Sequence, residues 1–396
     1  MRLSKPLEDL LVIDLTRVLA GPFCTMLLCD MGAFVLKIEM PEKGDDSRYF
    51  NPVIGNESAY FMSINRGKKS ITLNLKNKKG KELFLKLVEK ADILVENFRP
   101  GVMDRLDLSF EKLSKINPAL ICASSTGFGQ TGPKSKKAAY DLIIQGLSGM
   151  MSITGPDENA PTKVGSSIAD IFSGTFTCIG ILAALQNREK TGLGQMVDVA
   201  MLDSMISVLE NAIVRYSATG SIPRPIGNRH PSIAPFASFE TSNGMINIAI
   251  GNNNLWEKFC NIIDMPELIN DERFHSNPLR VKNIEALTEL ISEQLKQKTS
   301  EEWLEIFEVN NIPSGKINNV EEMMNDPQVI AREMLVDVIQ KSGPVKMPGV
   351  PIKFSRTPAE ISGPAPELGE HNEEIFSTFL DLNKDEINKL KDENII

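Results

Sequence analysis

Short apolar runs alternate with amphipathic stretches along residues 10–124 of this chain. The apolar runs have the length and composition of buried strands, and they cover residues 10–15, 34–39, 92–98 and 119–124. The stretches between them repeat apolar residues at helical spacing, over residues 21–31, 79–90 and 109–116. Strands that alternate with helices predict an α/β fold with a Rossmann-like open parallel sheet.

The loops that follow these strands are the first place to look for function. Ligands of open parallel sheets bind beyond the carboxyl ends of the strands. In this sequence the strand ends lead into loops rich in glycine, polar and basic residues, at 16–21, 40–47, 97–101 and 125–132. We therefore expect the ligand-binding residues of the N-terminal region in these four loops.

A change of composition predicts a domain boundary near residues 217–230. The segment SIPRPIGNRHPSIAP contains four prolines, and it follows helical patterns at 169–191 and 201–216. Beyond it, a hairpin around residues 242–244 and helices at 255–263, 284–297 and 300–310 predict a separate α+β unit. A Pro/Gly-rich tract at 343–369 then leads to a last predicted helix at 372–383.

Charge and composition narrow the class of protein. The chain carries 52 acidic and 43 basic side chains, so its net charge has the wrong sign for a phosphate-backbone binder, and we expect no nucleic-acid partner. Five scattered cysteines without a C-x-x-C pair and three histidines predict neither a disulfide framework nor a metal centre. Neither a signal peptide nor an uninterrupted run of 18 apolar residues is evident, so we expect a cytoplasmic protein without a membrane partner.

The segment GFGQTGP at 127–133 has the spacing G-x-G-x-x-G of dinucleotide-binding sites. Such a site also needs its glycines to open a helix, whereas Pro133 and the polar run KSKK follow here. We therefore predict a glycine-rich turn whose backbone can approach a ligand closely.

Asp170 stands at the predicted start of a long apolar helix, after the segment GSSIA. A carboxylate there is stabilised by unpaired N–H groups and by the helix dipole, so a structural cap explains it. An ionised aspartate in a glycine-lined pocket can also be a nucleophile toward an acyl group. The spacing alone leaves both interpretations open.

Basic residues cluster in the predicted loops and strand ends. Any one of them is most simply a solvated surface residue, but together they favour a phosphorylated, nucleotide-like ligand. They are Arg17, Lys37, Arg48, Arg66, Lys68, Lys69, Lys76, Arg99 and Arg105.

The chain contains, in order, the segments DLTRVLAGPFCTMLLCDMGAFVLKIEMPEKGDDSR, SINRGKKSITLNLK, ENFRPGVMDRL, SSTGFGQTGP, AAYDLIIQGLSGMMSITG, GSSIADIFSG and GNRHPSIAPF. These segments resemble the landmarks of the class III CoA-transferases, the CaiB/BaiF family. The resemblance implies an enzyme that moves coenzyme A between an acyl-CoA and a free carboxylic acid. It also implies a homodimer of two interlocked chains, each with a Rossmann-like large domain built from both chain ends.

The implied domain plan agrees with the predicted boundary. Residues 1–200 would form the N-terminal part of the large domain and residues 201–225 a linker helix. Residues 226–329 would form the small α+β domain, and residues 330–396 would return to the large domain.

The resemblance places the catalytic carboxylate of the family on Asp170, which would form an aspartyl anhydride and then an aspartyl-CoA thioester. It implies that CoA runs along Val18, Leu19, Ala20, Leu73, Lys76, Asn97, Phe98, Arg99, Arg105, Lys137 and Tyr140, and Lys37 is added on its charge alone. Substrate and flap contacts are expected from Thr16, Arg17, Gly227, Asn228, Arg229 and His230. No metal is expected to take part.

The sequence departs from formyl-CoA transferase in ways that bear on the substrate. That enzyme has Gln where Leu19 stands and Arg where Met40 stands, and its flap has a glycine run that GNRH lacks. The chain is closer to the branch with succinate–hydroxymethylglutarate CoA-transferase, which predicts a dicarboxylate such as succinate or a glutarate-like acid. Arg17 could pair with its second carboxylate. The identities of the donor and the acceptor stay open.

Two other functions remain as alternatives. The α-methylacyl-CoA racemases of this family use a His-Asp pair for proton transfer, and that pair aligns with Tyr140-Asp141. An unperturbed phenol titrates near about 10 and is a poor base at neutral pH, so racemase chemistry is the minor alternative. A non-catalytic CoA-binding protein is the other.

Overall fold

The structure, a computed structural model, describes residues 5–396 as a mixed α/β protein. Its strands are β1 (Leu11–Asp14), β2 (Phe34–Glu39), β3 (Val53–Ile54), β4 (Glu57–Ser58), β5 (Lys69–Thr72), β6 (Ile93–Glu96), β7 (Ile121–Thr126), β8 (Met196–Ala200), β9 (Phe236–Glu240), β10 (Met245–Ala249), β11 (Ser314–Lys316), β12 (Leu335–Gln340) and β13 (Gly343–Pro348). Its α-helices are α1 (Ala20–Asp30), α2 (Ala59–Asn65), α3 (Lys78–Val88), α4 (Val102–Arg105), α5 (Phe110–Ile116), α6 (Asp141–Leu147), α7 (Met150–Ile153), α8 (Ile168–Thr191), α9 (Met201–Ser207), α10 (Ala212–Thr219), α11 (Asn253–Ile262), α12 (Asn277–Lys282), α13 (Ile284–Leu295), α14 (Ser300–Val309), α15 (Val320–Met324), α16 (Pro327–Ala331), α17 (Asn372–Leu380) and α18 (Lys384–Asp392). Short 3-10 helices lie at Asp46–Tyr49 and Pro266–Ile269.

Six strands form the central sheet, in the order β5-β2-β1-β6-β7-β8, and every neighbouring pair is parallel. Counted along the chain, this order is 3-2-1-4-5-6, which is the strand order of the Rossmann fold. The prediction of an α/β fold around a parallel sheet is confirmed. The strand order reverses between β1 and β6, and a crevice at such a point is where open sheets bind their ligands.

Helices cover both faces of this sheet. Val12 of β1 packs with Leu28 of α1 and with residues of α8, whereas the next residue, Ile13, faces a core that contains Phe84 of α3 and Phe376 of α17. Adjacent strand residues point to opposite faces, so this alternation puts an apolar layer on each side. The first compact unit accordingly contains both chain ends: the residues up to Met150, Lys163–Ala218 and Pro327–Ile396.

The second compact unit consists of Met151–Thr162 and Thr219–Asp326. Its antiparallel sheet has the order β11-β10-β9, and its core includes the buried rings of Trp256, Trp303 and Phe307. The predicted hairpin and the helices over 255–263, 284–297 and 300–310 are present here within a few residues.

Residues 151–162 belong to the second unit, whereas the sequence places residues 1–200 in the large domain. Within that unit, the carbonyl of Gly155 accepts the N–H of Gly227, and Glu158 forms an ion pair with Arg224. These are contacts between segments that lie far apart in the sequence, so local patterns give no sign of them.

Among the elements that differ from the sequence prediction are an edge strand and two helices. The edge strand β5 was not predicted, because three of its four residues are polar. The helix predicted over 201–216 is broken into α9 and α10, and Glu210 between them has a left-handed φ of +54°. The last predicted helix stops at Leu380, where Asp381 is left-handed with φ +56°, and α18 follows it.

Helix α8 is the longest in the described chain, with 24 residues. By length and composition it could cross a membrane, but the core helices of soluble proteins pass the same test. Its Cys178, Ile181 and Ala184 pack in one core with strand residues of the central sheet.

Candidate active site

A cavity of about 770 Å³ lies in the first unit, at the carboxyl ends of β1, β2, β5, β6 and β7. It occupies the crevice where the strand order reverses. The residues predicted from the sequence that line it are Thr16, Arg17, Val18, Leu19, Ala20, Leu73, Lys76, Asn97, Phe98, Arg99, Lys137, Tyr140 and Asp170. The fold therefore brings together residues from five separate segments of the chain.

Helix α8 carries Asp170 in its first turn and presents it in the cavity wall. The close packing of α8 on α1 depends on Gly174, one turn further along. A Cβ atom at position 174 would lie 2.5 Å from the carbonyl oxygen of Ala20. Only glycine avoids that clash. Gly174 therefore allows α8 to pack close to α1, which brings Asp170 near the loop between β1 and α1.

Two side chains of α6 hold the start of α8. Asp141 Oδ1 accepts the N–H of Ala169 at 2.9 Å, and its Oδ2 accepts a hydrogen bond from Gln145 at 2.7 Å. The carbonyl oxygen of the Gln145 side chain accepts the N–H of Val164 at 2.9 Å. Ser167, the N-terminal cap residue of α8, makes no side-chain capping bond, so Asp141 supplies the cap from another helix.

The pKa of Asp170 is raised to about 7, by burial first and by the negative charge of Asp141 second. The favourable helix N-terminus is thus outweighed by loss of water and by a like charge. At neutral pH the carboxyl group is divided between its neutral and ionised forms. A carboxyl group that lines a cavity and has a strongly raised pKa is typical of a catalytic residue.

Tyr60 on α2 lies outside the cavity lining, but the same acidic groups act on it electrostatically. Burial, followed by the charges of Asp170, Asp45 and Asp141, raises the pKa of Tyr60 to about 12, so its phenol stays protonated. The sequence analysis missed this residue because it did not assign α2. A signal was present, since Ser58 precedes the helix and its side chain accepts the N–H of Phe61 as an N-cap.

Side chains from two other loops hold the loop between β1 and α1. The N–H of Arg17 donates to Asn97 Oδ1 at 2.9 Å, and the Asn97 amide donates to the carbonyl of Arg17 at 2.8 Å. The next residue, Val18, has a left-handed backbone with φ +67°, and its N–H donates to Asp45 Oδ1 at 3.1 Å. Asn97 therefore shapes the cavity as well as lining it.

Lys37 lies outside the cavity lining, which corrects its predicted contact with CoA. Its side chain is fully buried, and its Nζ pairs with Asp45 at 2.9 Å and donates to the carbonyl of Thr16 at 2.8 Å. Burial opposes its charge, but Asp45 and neighbouring acids raise the pKa of Lys37 above its usual value. Lys37 supports the loop from beneath and has no surface left for a ligand.

Three more of the basic residues are also held in ion pairs with little or no exposure. Their charges are matched by acids of the same unit, so they do not supply the expected phosphate contacts. The pairs are Lys68–Asp14 at 3.0 Å, Arg66–Asp30 at 2.7 Å and Arg48–Glu39 at 2.6 Å.

The cations at the rim of the cavity differ from these buried residues in their exposure and in their ion pairing. Lys76, Arg99 and Lys137 are exposed, and none of them forms an ion pair within residues 5–396. Arg17 forms an exposed pair with Asp46 at 3.1 Å. Arg105 is exposed at the end of α4 and is not part of the cavity lining.

The glycine-rich segment 127–132 opens no helix, because the next helix starts at Asp141. Gly127 lines the cavity, and a Cβ atom there would lie 2.3 Å from the Cβ of Ala139. The segment forms no helix, as predicted, and its close approach to a ligand stays a prediction.

The four predicted flap residues belong to the second unit, between α10 and β9. Their role in the reaction stays a prediction. Within their unit they bond through Gly227 N–H to the carbonyl of Gly155, the Asn228 amide to Ser238, Arg229 Nε to the carbonyl of Ile226, and His230 N–H to the carbonyl of Phe236.

Among residues 5–396, no group of three or more His, Cys, Asp or Glu side chains is arranged to hold a metal ion. The chemistry available in the cavity is that of a carboxylate, a phenol, backbone groups and cations.

Comparisons with known proteins agree with this geometry. The family model for CoA-transferase family III matches residues 7–372. The chain is 46% identical to acetyl-CoA:oxalate CoA-transferase from Acetobacter aceti, over 94% of this chain and 96% of that protein. It is 41% identical to succinate–glutarate CoA-transferase from Agrobacterium fabrum, over 94% of this chain and 95% of the relative. The crystal structure of a CaiB/BaiF family protein from Brucella suis is similar with a TM-score of 0.84 and 41% identity, covering 95% of this chain and all of that one.

Proposed function

The chain belongs to CoA-transferase family III and is an acyl-CoA:carboxylate CoA-transferase, and on that basis we propose that Asp170 is its catalytic nucleophile. The observation that carries the proposal is the position of Asp170. It is a carboxyl group in the wall of the cavity at the ligand-binding edge of the sheet, with a pKa near neutrality.

The proposed reaction begins when an ionised Asp170 oxygen attacks the thioester carbonyl of the donor. A C–O bond forms and the C–S bond breaks, which gives an aspartyl acyl anhydride and CoA thiolate. The thiolate then attacks the Asp170 carbonyl carbon and releases the donor acid as a carboxylate. The enzyme now holds an aspartyl-CoA thioester.

The second half repeats these steps with the acceptor. The acceptor carboxylate attacks the aspartyl-CoA thioester, forms a second anhydride and expels CoA thiolate. The thiolate attacks the acyl carbon of the acceptor, which gives the new acyl-CoA and regenerates ionised Asp170. No proton is gained or lost, so the reaction needs an ionised nucleophile but no general acid.

The cavity fits an acyl-CoA by its chemistry. We propose that the rim cations Lys76, Arg99 and Lys137 contact the phosphates of CoA, with Arg105 reaching its outer end, because exposed cations without an acidic partner are available to an anion. The proposed contacts along the rest of CoA are Val18, Leu19, Ala20, Leu73, Asn97, Phe98 and Tyr140. No metal has a part in this scheme.

The proposed acids are dicarboxylates. Support comes from the two relatives, which are named for oxalate and for succinate and glutarate. Within the cavity, Leu19 and Met40 offer apolar surface, and Arg17 near Thr16 is the cation proposed to pair with the second carboxylate. In the structure Arg17 is paired with Asp46 in an exposed position, where solvent weakens the pair and a substrate carboxylate can replace it.

We propose an interlocked homodimer located in the cytoplasm. Its large domain would contain residues 1–200 and 330–396, apart from residues 151–162 that lie in the second unit, and a linker at 201–225 would join it to a small domain at 226–329 with Gly227–His230 as a flap. Exposed apolar side chains support a second copy as the partner: Leu142, Leu147, Ile179 and Ile206 are 40–54% exposed on α6, α8 and α9, which pack together.

The test of the function is an acceptor screen with the purified protein. Succinyl-CoA, acetyl-CoA and formyl-CoA serve as donors with a panel of mono- and dicarboxylic acids, and mass spectrometry detects new thioesters. We expect transfer to dicarboxylates without net hydrolysis. Silence across the panel, together with deuterium entering the α-carbon of a branched acyl-CoA in heavy water, would replace this proposal with racemase chemistry. CoA binding without either reaction would indicate a non-catalytic protein.

The test of the nucleophile is the Asp170→Asn variant. The amide cannot attack the thioester, so we expect transfer to fall by about a thousandfold or more while the fold is kept. Hydroxylamine added with the donor acyl-CoA should modify Asp170 in the wild-type protein. Asp203→Asn is the matched control, because Asp203 is also the third residue of a helix, is exposed and lies outside the cavity lining. Equal activity of Asp170→Asn and Asp203→Asn would disprove the assignment.

A further inference from the structure

Val18 has a backbone conformation that its side chain disfavours. Its φ of +67° lies in the left-handed region, and valine is β-branched, so this geometry is strained unless its surroundings enforce it. Val18 also lines the cavity, between Arg17 and the first residue of α1. The strain therefore occurs where the wall of the ligand site is built.

Asp45 is the group that holds this conformation. Its Oδ1 accepts the N–H of Val18 at 3.1 Å and also the N–H and hydroxyl of Ser47, at 2.9 and 2.8 Å. Its N–H is fixed in turn, because it donates to Glu39 Oε2 at 2.9 Å. Asp45 is fully buried, so these bonds face no competition from water.

Lys37 makes a second connection between Asp45 and the loop that follows β1. Its Nζ reaches Asp45 Oδ2 at 2.9 Å and the carbonyl of Thr16 at 2.8 Å. The buried ammonium of Lys37 thus links Asp45, which binds the N–H of Val18, to the backbone of Thr16. Both side chains are fully buried; Lys37 lies outside the cavity lining, whereas Asp45 belongs to it.

The segment that follows Val18 is the part of the loop next to the nucleophile. Leu19 and Ala20 line the cavity, and the carbonyl of Ala20 is the group that Gly174 of α8 approaches, one turn after Asp170. A rotation at Val18 would redirect the chain at this point and move the wall beside Asp170.

We propose that Asp45 and Lys37 are positioning residues for acyl-CoA, which hold Val18 in its left-handed conformation and so place Leu19 and Ala20 beside the first turn of α8. This inference rests on the proposed function, because it assumes that the cavity binds acyl-CoA. Asp45 and Lys37 act through the loop, because their side chains have no exposed surface for the substrate.

The main variant is Asp45→Asn. Its amide has the same shape but cannot pair with the ammonium of Lys37, so the side chain turns and the N–H of Val18 loses its anchor. We expect the KM for acyl-CoA and the dissociation constant of free CoA, measured by titration calorimetry, each to rise about tenfold, with a smaller change in kcat.

Asp30→Asn is the matched control. Asp30 is also buried in an ion pair, with Arg66, in the same unit and outside the cavity lining. It should lower the melting temperature in a similar way and leave the KM unchanged. An equal rise of KM in both variants would show that loss of stability alone explains the effect and would overturn the proposal.

Val18→Gly tests the strain directly. Glycine adopts φ near +67° without steric cost, so the loop of this variant depends less on its anchor. Asp45→Asn should therefore raise the KM by a smaller factor in the Val18→Gly background than in the wild type. Equal factors in the two backgrounds would remove Val18 from the argument.

A double variant covers the case in which Asp45→Asn does not fold. Lys37→Met with Asp45→Ala leaves no unpaired buried charge and no acceptor for the N–H of Val18, so it should show the same rise in KM. An unchanged KM in this double variant would contradict the proposal. Transfer activity of the wild-type protein is measured alongside, so failure of the proposed function is seen separately from failure of this inference.

Discussion

As the proposed nucleophile, Asp170 has to be ionised, yet its surroundings oppose ionisation. It sits in the first turn of a helix, where the dipole favours a negative charge, but burial and the neighbouring Asp141 raise its pKa to about 7. A carboxylate that is hard to ionise is poorly solvated once ionised, which makes it more reactive than an ordinary surface aspartate. The same shift makes activity sensitive to pH near neutrality.

We predict that kcat/KM rises with pH and reaches half of its plateau near pH 7. The nucleophile is the ionised form, so activity is present above the pKa and falls about tenfold per pH unit below it. The measurement is a profile of kcat/KM from pH 5 to 9 with a saturating acceptor. A profile that is flat between pH 5.5 and 8 would contradict this assignment of Asp170.

Asp141→Asn tests the cause of the shift. The substituted side chain keeps an oxygen for the N–H of Ala169, so the helix cap is retained, whereas the hydrogen bond from Gln145 and the negative charge beside Asp170 are removed. The pKa of Asp170 should fall, and the midpoint of the profile should move to lower pH, with a relative gain of activity at pH 6. Asp203→Asn should leave the midpoint in place.

Asp170→Asn should also stabilise the fold at high pH. The folded-state pKa of Asp170 lies above its ordinary value of 3.8, so stability is lost as pH rises through about 7. Replacement by a neutral amide avoids that loss, and we expect a gain of about 2 kcal/mol in the free energy of unfolding at pH 8. Denaturant titrations at pH 4 and pH 8 should show a gain only at the higher pH.

At the scale of elements, the contact between α1 and α8 decides the geometry of the site. Both helices cover the same face of the sheet, and the glycine at position 174 lets them come close enough to bring Asp170 to the loop after β1. Helix propensity alone would favour alanine at such a position by about 1 kcal/mol. The glycine is kept against that preference because the carbonyl of Ala20 occupies the space of a side chain.

Gly174→Ala should therefore destabilise the protein and lower its activity. We expect a loss of about 1–3 kcal/mol in the free energy of unfolding, because the new methyl group would clash with the carbonyl oxygen of Ala20, which cannot move without a shift of the backbone. Gly180→Ala in the same helix is the control, since it has the same propensity gain and meets only a methyl group of Val197. Thermal melts and kcat of both variants provide the comparison, and a stabilised, fully active Gly174→Ala would contradict the argument.

The elements most visible in the sequence are the strands that are buried on both faces. The four apolar runs correspond to β1, β2, β6 and β7, because a strand covered by helices on both sides must be apolar throughout. The edge strand β5 escaped prediction because its Lys69 and Ser70 interrupt the pattern. Tyr60 was missed with the short helix α2 for a related reason: seven residues are too few for a clear period.

At the scale of the whole molecule, exposed apolar side chains on α6, α8 and α9 predict that the protein is a homodimer. Sedimentation at micromolar concentration should give twice the mass of the chain. Ile179→Glu should weaken the assembly, because Ile179 is 54% exposed and a charge there cannot be buried at low cost. Ile330→Glu is the control, since Ile330 is similarly exposed on another helix. A wild-type protein of monomer mass would disprove the dimer.

The sequence by itself determined the class of fold, the loops that carry the site, the family and the position of Asp170. These follow from local patterns, since alternating periods specify strands and helices, and loops at strand ends must meet at one edge of a parallel sheet. The tertiary structure decided which charges line the cavity. Lys37, Lys68 and Lys76 look alike in sequence, but the first two are buried against acids and only Lys76 lines the cavity. It also placed Asp141 beside Asp170 and Asp45 beside Val18, because such contacts depend on distance and burial between segments far apart in the chain.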